Sequence, residues 1–387
     1  MRDLPLLAHV VVALLASGCS TEAPESRPPS VSVHDGISVI DIGALSAAPT
    51  IHVLNEPDLV LSGDPSPFFR VMGAISLPGG RIAVLNAGYH KVQVYDATGR
   101  LDDDVGAPGD GPGEFRMPTS ILPLGADSFA VFDHTHQRLT LFVADSALRV
   151  VRTIPLGSHF VGQSIWAIGA PSSVDWLLEV APYIGLDAAP GFQRPMVQLT
   201  HYGTDGDRVR VVRELPGTEV YIRSGDRFVV RTPPFARRSF IVSSGARLAI
   251  ADSHESQASV LDLGGTVRTI VRFDTRQDPV AAAHVASETS SWQSRAEVSD
   301  LSDRRRSDSV PQLGGLLLGA DSTVWLRSPF PKGGRYRWTM VDPATESVGS
   351  IEADTSLTVV EASRGHVLAL RVNPFGERIE YHRLSRR

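Results

Sequence analysis

The sequence predicts an all-β protein, a six-bladed β-propeller with a short helical insertion, and the main reason is a strand–turn–strand repeat. The segment Phe68–Tyr95 aligns with Phe115–Phe142 without a gap, and each contains two short apolar strands around a polar turn. A third copy follows at Ser244–Asp252 and Ala258–Asp262. Units of this size, built from strands that bury their faces only against neighbouring units, are typical of propellers.

Six such units follow one another along the chain. They lie near residues 68–106, 113–155, 158–215, 225–275, 311–353 and 356–385. The third is the most divergent, because Pro182–Pro195 separates its strands as a long excursion. Two early strands, Ile37–Ile42 and Leu59–Leu61, are left over. We expect an N-terminal strand to complete the last blade and so remove an open sheet edge. Rings of five or seven blades are the alternatives.

One segment departs from the strand pattern. Residues 278–309 carry apolar residues at helical spacing from Val280 to Leu301, and Pro279 suits the first turn of a helix. We therefore expect one or two amphipathic helices in this insertion. They form either a cap packed on one face of the ring or a lid or docking arm for a partner.

The N-terminal residues have the pattern of an export signal. An apolar run from Leu4 to Leu15 has the length of a signal-peptide core and is too short to span a bilayer. The next residues, Ala16-Ser17-Gly18-Cys19, resemble the lipobox of bacterial lipoproteins, which implies cleavage after residue 18 and a lipid on Cys19. Because Cys19 is the single cysteine of the chain, it has no partner for an internal disulfide.

Residues 20–35 are polar and rich in proline, which is the composition of an extended tether. The predicted organisation is a signal peptide at 1–18, a flexible tether at 19–36 and one propeller domain at 37–387. Ser20 stands where lipoproteins retained at the inner membrane carry aspartate. We therefore expect a lipid-anchored protein of the cell envelope, at the outer membrane, with a secreted or periplasmic protein as the alternative.

The charge of the chain limits its partners. The formal net charge is −6 at pH 7, so the chain has no overall basic field that would attract a phosphate backbone. We predict no nucleic-acid partner, and we expect a monomer.

Two segments resemble NHL-type six-bladed propellers. Gly106–Phe115 is similar to the loop that joins successive blades in that family, and Asn86–Asp96 is similar to its strand–turn–strand core. The resemblance is clearest over residues 68–155 and partial over 238–270. It implies the ring fold of the bacterial six-bladed propeller lipoproteins and a binding or scaffolding role outside the cytoplasm.

Asp133, His134 and His136 form the cluster best suited to metal binding or acid–base chemistry. Two histidines beside a carboxylate could hold a divalent metal or supply a general base. Asp252 and His254 stand at the matching turn of a later unit. The repeat favours a second interpretation, because a polar residue that recurs at every such turn usually accepts backbone hydrogen bonds there.

These observations leave three classes of function. The first is a binding or scaffold module for a protein, peptide or glycan ligand, without a cofactor or catalytic residues. The second is a metal-dependent propeller hydrolase, lactonase or lyase, with a divalent metal in the central channel held by the histidines and aspartates named above. The third is a structural spacer with a broad apolar patch on its outer surface. We predict the first, because the sequence contains no nucleophile elbow, zinc-binding helix or phosphate loop.

Overall fold

The computed structural model describes residues 29–63, 67–156, 163–172, 175–203, 205–223, 228–233, 235–274 and 311–384. The helical segments in these ranges are short 3₁₀ turns at Leu45–Ala47, Pro78–Gly80 and Ala87–Tyr89. The predicted signal peptide, Cys19 and the predicted helical insertion at 278–309 lie outside the described residues. No helix within the described ranges is long and apolar enough to cross a membrane.

Four strands open the described chain. They are β1 (Ser30–His34), β2 (Ile37–Ala44), β3 (Thr50–Leu54) and β4 (Leu59–Leu61). The first two form an antiparallel hairpin, which begins ahead of Ile37, where the sequence analysis placed the start of the domain.

Three four-stranded antiparallel sheets follow. Sheet 1 contains β5 (Val71–Leu77), β6 (Arg81–Asn86), β7 (Lys91–Tyr95) and β8 (Leu101–Val105). Sheet 2 contains β9 (Pro118–Pro123), β10 (Ser128–Asp133), β11 (Arg138–Ala144) and β12 (Leu148–Pro155). Sheet 3 contains β13 (Gln163–Ser172) and β14 (Asp175–Pro182) and then, after the separate strand β15 (Gly191–Gln193), β16 (Met196–Tyr202) and β17 (Arg208–Pro216).

A small sheet comes between the third and fourth large sheets in the chain. It joins β15 to β18 (Val220–Arg223) and β19 (Val229–Arg231). Because β15 lies within Pro182–Pro195, this segment departs from the repeat, as the sequence predicted.

Three more large sheets complete the described chain. Sheet 4 contains β20 (Ser239–Ser244), β21 (Arg247–Asp252), β22 (Gln257–Asp262) and β23 (Val267–Asp274). Sheet 5 contains β24 (Gly315–Leu318), β25 (Val324–Arg327), β26 (Arg335–Asp342) and β27 (Ser347–Asp354). Sheet 6 contains β28 (Leu357–Ala362), β29 (His366–Asn373) and β30 (Gly376–Arg383).

The N-terminal strands attach to the outer edges of three successive sheets. β2 pairs in parallel with β23 of sheet 4, and β3 pairs in parallel with β27 of sheet 5. β4 then pairs antiparallel with β30 and becomes the fourth strand of sheet 6. The expectation that an early strand completes the last unit is confirmed for β4 and wrong for β2, which covers the open edge of sheet 4 instead.

The first strands of the large sheets form a closed ring. β5 contacts β9, and the contacts continue through β13, β20, β24 and β28, which contacts β5 again. The first strand of each large sheet therefore lies beside the first strand of the next large sheet, as in a propeller. The all-β, propeller-type fold predicted from the repeat is confirmed.

The core consists of apolar layers between neighbouring sheets. Between sheets 1 and 2, for example, Leu85 packs with Phe129 and Phe142, whose rings stack with centroids 5.3 Å apart. Corresponding layers lie between the other neighbours, including one between sheets 6 and 1. No sheet buries its faces alone, so the stability of each depends on both neighbours.

The antiparallel order within each sheet defines two ends of the ring. Each first strand begins at the end that also carries the turn between the second and third strands. We call this end the loop face. It includes the connections 106–117 and 311–314, the described residues of the connection 217–238, and the turns 87–90, 134–137, 253–256, 328–334 and 374–375.

Candidate functional site

Asp133 organises the loop face of sheet 2. It ends β10 and is fully buried. Its carboxylate accepts hydrogen bonds from the backbone N–H groups of Arg116 (2.7 Å), Met117 (3.2 Å) and His136 (3.1 Å). The side chain thus holds the preceding connection and the following turn together, which is the structural role that the repeat predicted.

Asn86 has the same role in sheet 1. Its Oδ1 accepts a hydrogen bond from the N–H of Phe69 at 3.0 Å, and its Nδ2 donates to the carbonyl of Pro67 at 3.1 Å. Nδ2 also donates to Gln93 at 2.9 Å inside the sheet. An amide and a carboxylate therefore satisfy equivalent backbone groups in successive sheets, because both offer acceptor oxygens at the same place.

The backbone donors also determine the charge state of Asp133. Burial alone would raise the pKa of this carboxyl, but the three N–H groups and the His136 ring outweigh it and lower the pKa. Asp133 is therefore ionised at neutral pH, and its lone pairs are engaged by donors of the chain itself.

His136 lies between two carboxylates. Its Nδ1 is 3.0 Å from Asp133 Oδ2, and its Nε2 is 2.7 Å from Asp110 Oδ1. Asp110 also pairs with the guanidinium of Arg116 at 2.9 and 3.0 Å. Hydrogen bonds from Arg116 and then His136 hold the pKa of Asp110 below its usual range. Both nitrogens of His136 are thus occupied within an ionic network.

His134 points away from this network, toward sheet 3. Its Nδ1 is 3.1 Å from the carbonyl oxygen of Ile165, and its ring stacks on Trp166 with centroids 4.9 Å apart. A carbonyl only accepts hydrogen bonds, so Nδ1 of His134 is the donor in this contact. His134 therefore joins two sheets instead of joining Asp133 and His136 in one ligand set.

At the equivalent turn of sheet 4, two side chains share the hydrogen bonds that Asp133 alone accepts in sheet 2. Asp252 accepts a hydrogen bond from the N–H of His254 at 2.8 Å and pairs with Arg194 at 2.5 Å. Ser253 Oγ, not Asp252, accepts the N–H of the preceding connection, from Arg238 at 3.1 Å. The ring of His254 is 2.9 Å from the same hydroxyl.

The metal hypothesis can be compared with these contacts. Asp133 uses its oxygens for N–H donors, and His134 and His254 each have partners in their own surroundings. Within the described ranges, no three His, Cys, Asp or Glu side chains are grouped so that they could hold a metal ion. The arrangement as it stands does not fit a divalent metal bound jointly by these residues.

The loop face carries a second feature, a set of exposed aromatic side chains. The sequence analysis did not single them out. In the described part of the chain, the most exposed aromatic residues all lie at this end, namely Phe69, Tyr89, Trp166, Tyr183 and Phe375. Phe69 and Tyr89 pack edge to face with ring centroids 6.2 Å apart. The repeat could have indicated Phe69 and Tyr89, because both stand in the turn region that the repeat defines.

Comparisons with known proteins return structures of similar fold. No family model matches the chain, and no curated protein matches it. A member of the DUF4221 family from Bacteroides vulgatus is 9% identical, with 85% of this chain and 97% of that chain covered and a TM-score of 0.48. A gluconolactonase from Xanthomonas campestris is 11% identical, with 93% and 96% covered and a TM-score of 0.40. A streptogramin B lyase is 11% identical, with 86% of each chain covered and a TM-score of 0.34.

Proposed function

We propose that the protein is a six-bladed propeller of the NHL type that binds a protein, peptide or glycan ligand at its loop face. In this proposal each of the six large sheets is one blade. The protein is exported and anchored by a lipid on Cys19 in the cell envelope, at the outer membrane. The export signal and the small residues before Cys19 support this location.

The distribution of exposed aromatic side chains is the observation that carries the proposal. Phe69 is 54% exposed, Tyr89 48% and Phe375 99%, all at the loop face. Exposed aromatic rings supply contact area at low entropic cost, and they are enriched where proteins bind partners. On the outer strands the exposed apolar residues are aliphatic and scattered, such as Val33 and Val209. This favours ligand binding over a spacer role.

The polar residues of the turns support binding more than catalysis. Asp133 and Asp252 hold backbone N–H groups of their own turns, and His136 is engaged at both ring nitrogens. His134 is the residue on which the hydrolase, lactonase or lyase alternative still depends, since its Nε2 has no hydrogen-bond partner among the described residues. The contacts of His134 with the described residues are a backbone carbonyl and an aromatic ring, so no acidic side chain assists it there, and this gives that alternative little support.

The proposal is tested by binding of the full-length protein, purified in detergent, to a glycan array and to a random peptide array. We expect saturable binding to one class of ligand. A variant with Phe69→Ser and Tyr89→Ser should bind that ligand at least about tenfold more weakly, because a central aromatic anchor typically contributes 2 kcal/mol or more.

The matched control is a variant with Val33→Ser and Val209→Ser, which removes exposed apolar side chains from outer strands. It should bind like the wild type. Equal weakening in both variants, or in neither, would contradict the assignment of the loop face as the binding surface.

A further inference from the structure

Near the end of the second strand of each large sheet, one side chain faces the following sheet. This side chain is apolar in four sheets and charged in two. Near the end of its second strand, each of four sheets packs an apolar side chain against the following sheet. These residues are Leu85, Phe132, Ala251 and Leu370. The corresponding residues are Glu179 in sheet 3 and Arg327 in sheet 5. A charge at a packing position is costly unless it is paired or serves a purpose.

Arg327 is held by aromatic rings and a carbonyl. Its guanidinium carbon lies 4.4 Å from the ring centroid of Tyr336 and 6.0 Å from that of Trp338. One terminal nitrogen donates to the carbonyl of Gly314. Its Nε is buried and has no hydrogen-bond partner among the described residues. Stacking of this kind fixes the plane of a guanidinium and attracts the cation, but it supplies no negative counter-charge.

Arg371 in sheet 6 provides an internal comparison. It is also largely buried, but it forms a two-point ion pair with the buried carboxylate of Glu380, at 2.6 and 3.1 Å. Within the described part of the chain, no carboxylate lies within ion-pair distance of Arg327. Among the described residues, a carboxylate therefore neutralises one half-buried arginine, Arg371, and none neutralises the other, Arg327.

A second unpaired arginine lies at the same end of the ring. Arg238 directly precedes β20, is exposed, and has its guanidinium carbon 5.3 Å from the ring centroid of Phe240. It likewise has no ion-pair partner in the described ranges. The first strands of sheets 4 and 5 are neighbours, and each of the two arginines lies at the loop-face end of one of these sheets.

Backbone hydrogen bonds connect the two arginines. The carbonyl of Arg238 accepts the N–H of Ser253, and the carbonyl of Ser253 accepts the N–H groups of Gln312 (2.7 Å) and Leu313 (3.0 Å). The next residue, Gly314, bonds to Arg327 through its N–H and its carbonyl. Burial lowers the pKa of Arg327; Tyr336 opposes this shift, and the charge of Arg238 adds to it.

We propose that Arg238 and Arg327 form an oxyanion site on the loop face, which binds a carboxylate or phosphoryl group of the ligand. A planar guanidinium donates two parallel hydrogen bonds to such a group, and a second guanidinium adds charge without further burial. The anion would supply the counter-charge that no described residue gives Arg327. This inference deepens the proposed function by giving its ligand an anionic group. Its test uses a free anion, so the two proposals can fail separately.

The experiment measures the melting temperature of the full-length protein against the concentration of sodium phosphate or sodium acetate, with sodium chloride keeping the ionic strength constant. An anion that binds only the folded state raises the melting temperature along a saturable curve. We expect such a curve for the wild type. The Arg238→Met and Arg327→Met variants should each need roughly tenfold more anion for the same shift.

Arg100→Met is the matched control, because Arg100 is exposed at the opposite end of the ring. It should respond like the wild type. Arg327→Lys keeps the charge but loses the two-point geometry, so it should fall between the wild type and Arg327→Met. Saturation by both anions indicates a general oxyanion site, and saturation by phosphate alone indicates a phosphoryl group.

The melting temperature of the Arg327→Met variant in sodium chloride alone is a second test. If Arg327 serves a ligand, its removal should leave the melting temperature in chloride unchanged or higher, because an unpaired buried charge disappears. A lower melting temperature in chloride would show that Arg327 has a structural role and would overturn the proposal. So would an equal response of the wild type and both methionine variants, or no response beyond chloride.

Discussion

Individual residues of different chemistry perform the same task at equivalent turns of this ring. Asn86, Asp133 and Ser253 each accept an N–H group of the connection that enters their sheet. The constraint at this position is a satisfied backbone, not a particular side chain.

Replacing Asp133 should therefore affect stability more than any chemistry. Asp133→Ala removes the buried carboxylate that accepts three part-buried N–H groups, and we expect the free energy of unfolding to fall by about 3 kcal/mol. Asp133→Asn should lose less, because Asn86 performs this role as an amide in sheet 1. Denaturant titration of the purified variants measures both values.

Asp110→Ala is the control for this prediction. Asp110 also contacts His136, but it is exposed, so its removal should change the free energy of unfolding far less than Asp133→Ala does. If Asp110→Ala and Asp133→Ala had equal effects, the network around His136 would be the stabilising feature, and the backbone N–H groups would not.

At the scale of elements, the N-terminal hairpin is the main addition to the repeat. Asp35 and Gly36 have φ values of 51° and 77°, the left-handed pair required by a two-residue turn that matches the twist of its strands. β2 then adds in parallel to β23, and Ile40 enters the apolar layer between sheets 4 and 5. Part of the segment predicted as tether is thus a strand that leads into the core.

The contribution of β2 can be measured by truncating its buried side chain. Ile40 is fully buried, so Ile40→Ala should lower the free energy of unfolding by about 3 kcal/mol. Val33 in β1 is 68% exposed, so Val33→Ala should change it by less than about 0.5 kcal/mol. Equal effects in thermal or denaturant unfolding would mean that β2 does not belong to the core.

The elements differ in how far the sequence could predict them. Sheets 1, 2 and 4 could be predicted because their strands repeat with the same turn residues. The Asp35-Gly36 pair between alternating valines could also have indicated a hairpin. The partner of β2 could not be predicted, because β23 is distant in the chain and parallel pairing has no local signal. The same limit applies to Arg238 and Arg327, which only the neighbouring sheets bring together.

At the scale of the whole molecule, the fold depends on joining the end of the chain to its beginning. Sheet 6 must pack on sheet 1, and two carboxylates of sheet 6 bond to the backbone of β5. Glu377 accepts the N–H of Val71 at 2.7 Å, and Glu361 accepts the N–H of Ser76 at 2.9 Å. β5 is therefore held near both of its ends, so this interface closes the ring.

We expect Glu361 to make this closure dependent on pH. Burial by itself would raise its pKa, but hydrogen bonds from His366 and Ser76 outweigh burial and lower the pKa. His366 lies 2.8 Å from the carboxylate. A group whose pKa is lower in the folded state stabilises the fold above its unfolded pKa of about 4.3, and this contribution is lost as the pH falls through the folded value.

Glu361→Gln should therefore lower the free energy of unfolding by about 2 kcal/mol at pH 7, since it removes the charged acceptor at the closing interface. The difference between wild type and variant should shrink as the pH falls from about 4.3, the unfolded pKa, through the lower folded pKa of Glu361, where the folded wild-type carboxylate takes up its proton. Glu56→Gln, at an exposed position, is the control and should match the wild type at each pH. Denaturant unfolding between pH 7 and pH 3 measures this, and a difference that stayed constant over the range would show that the charge of Glu361 does not hold the ring closed.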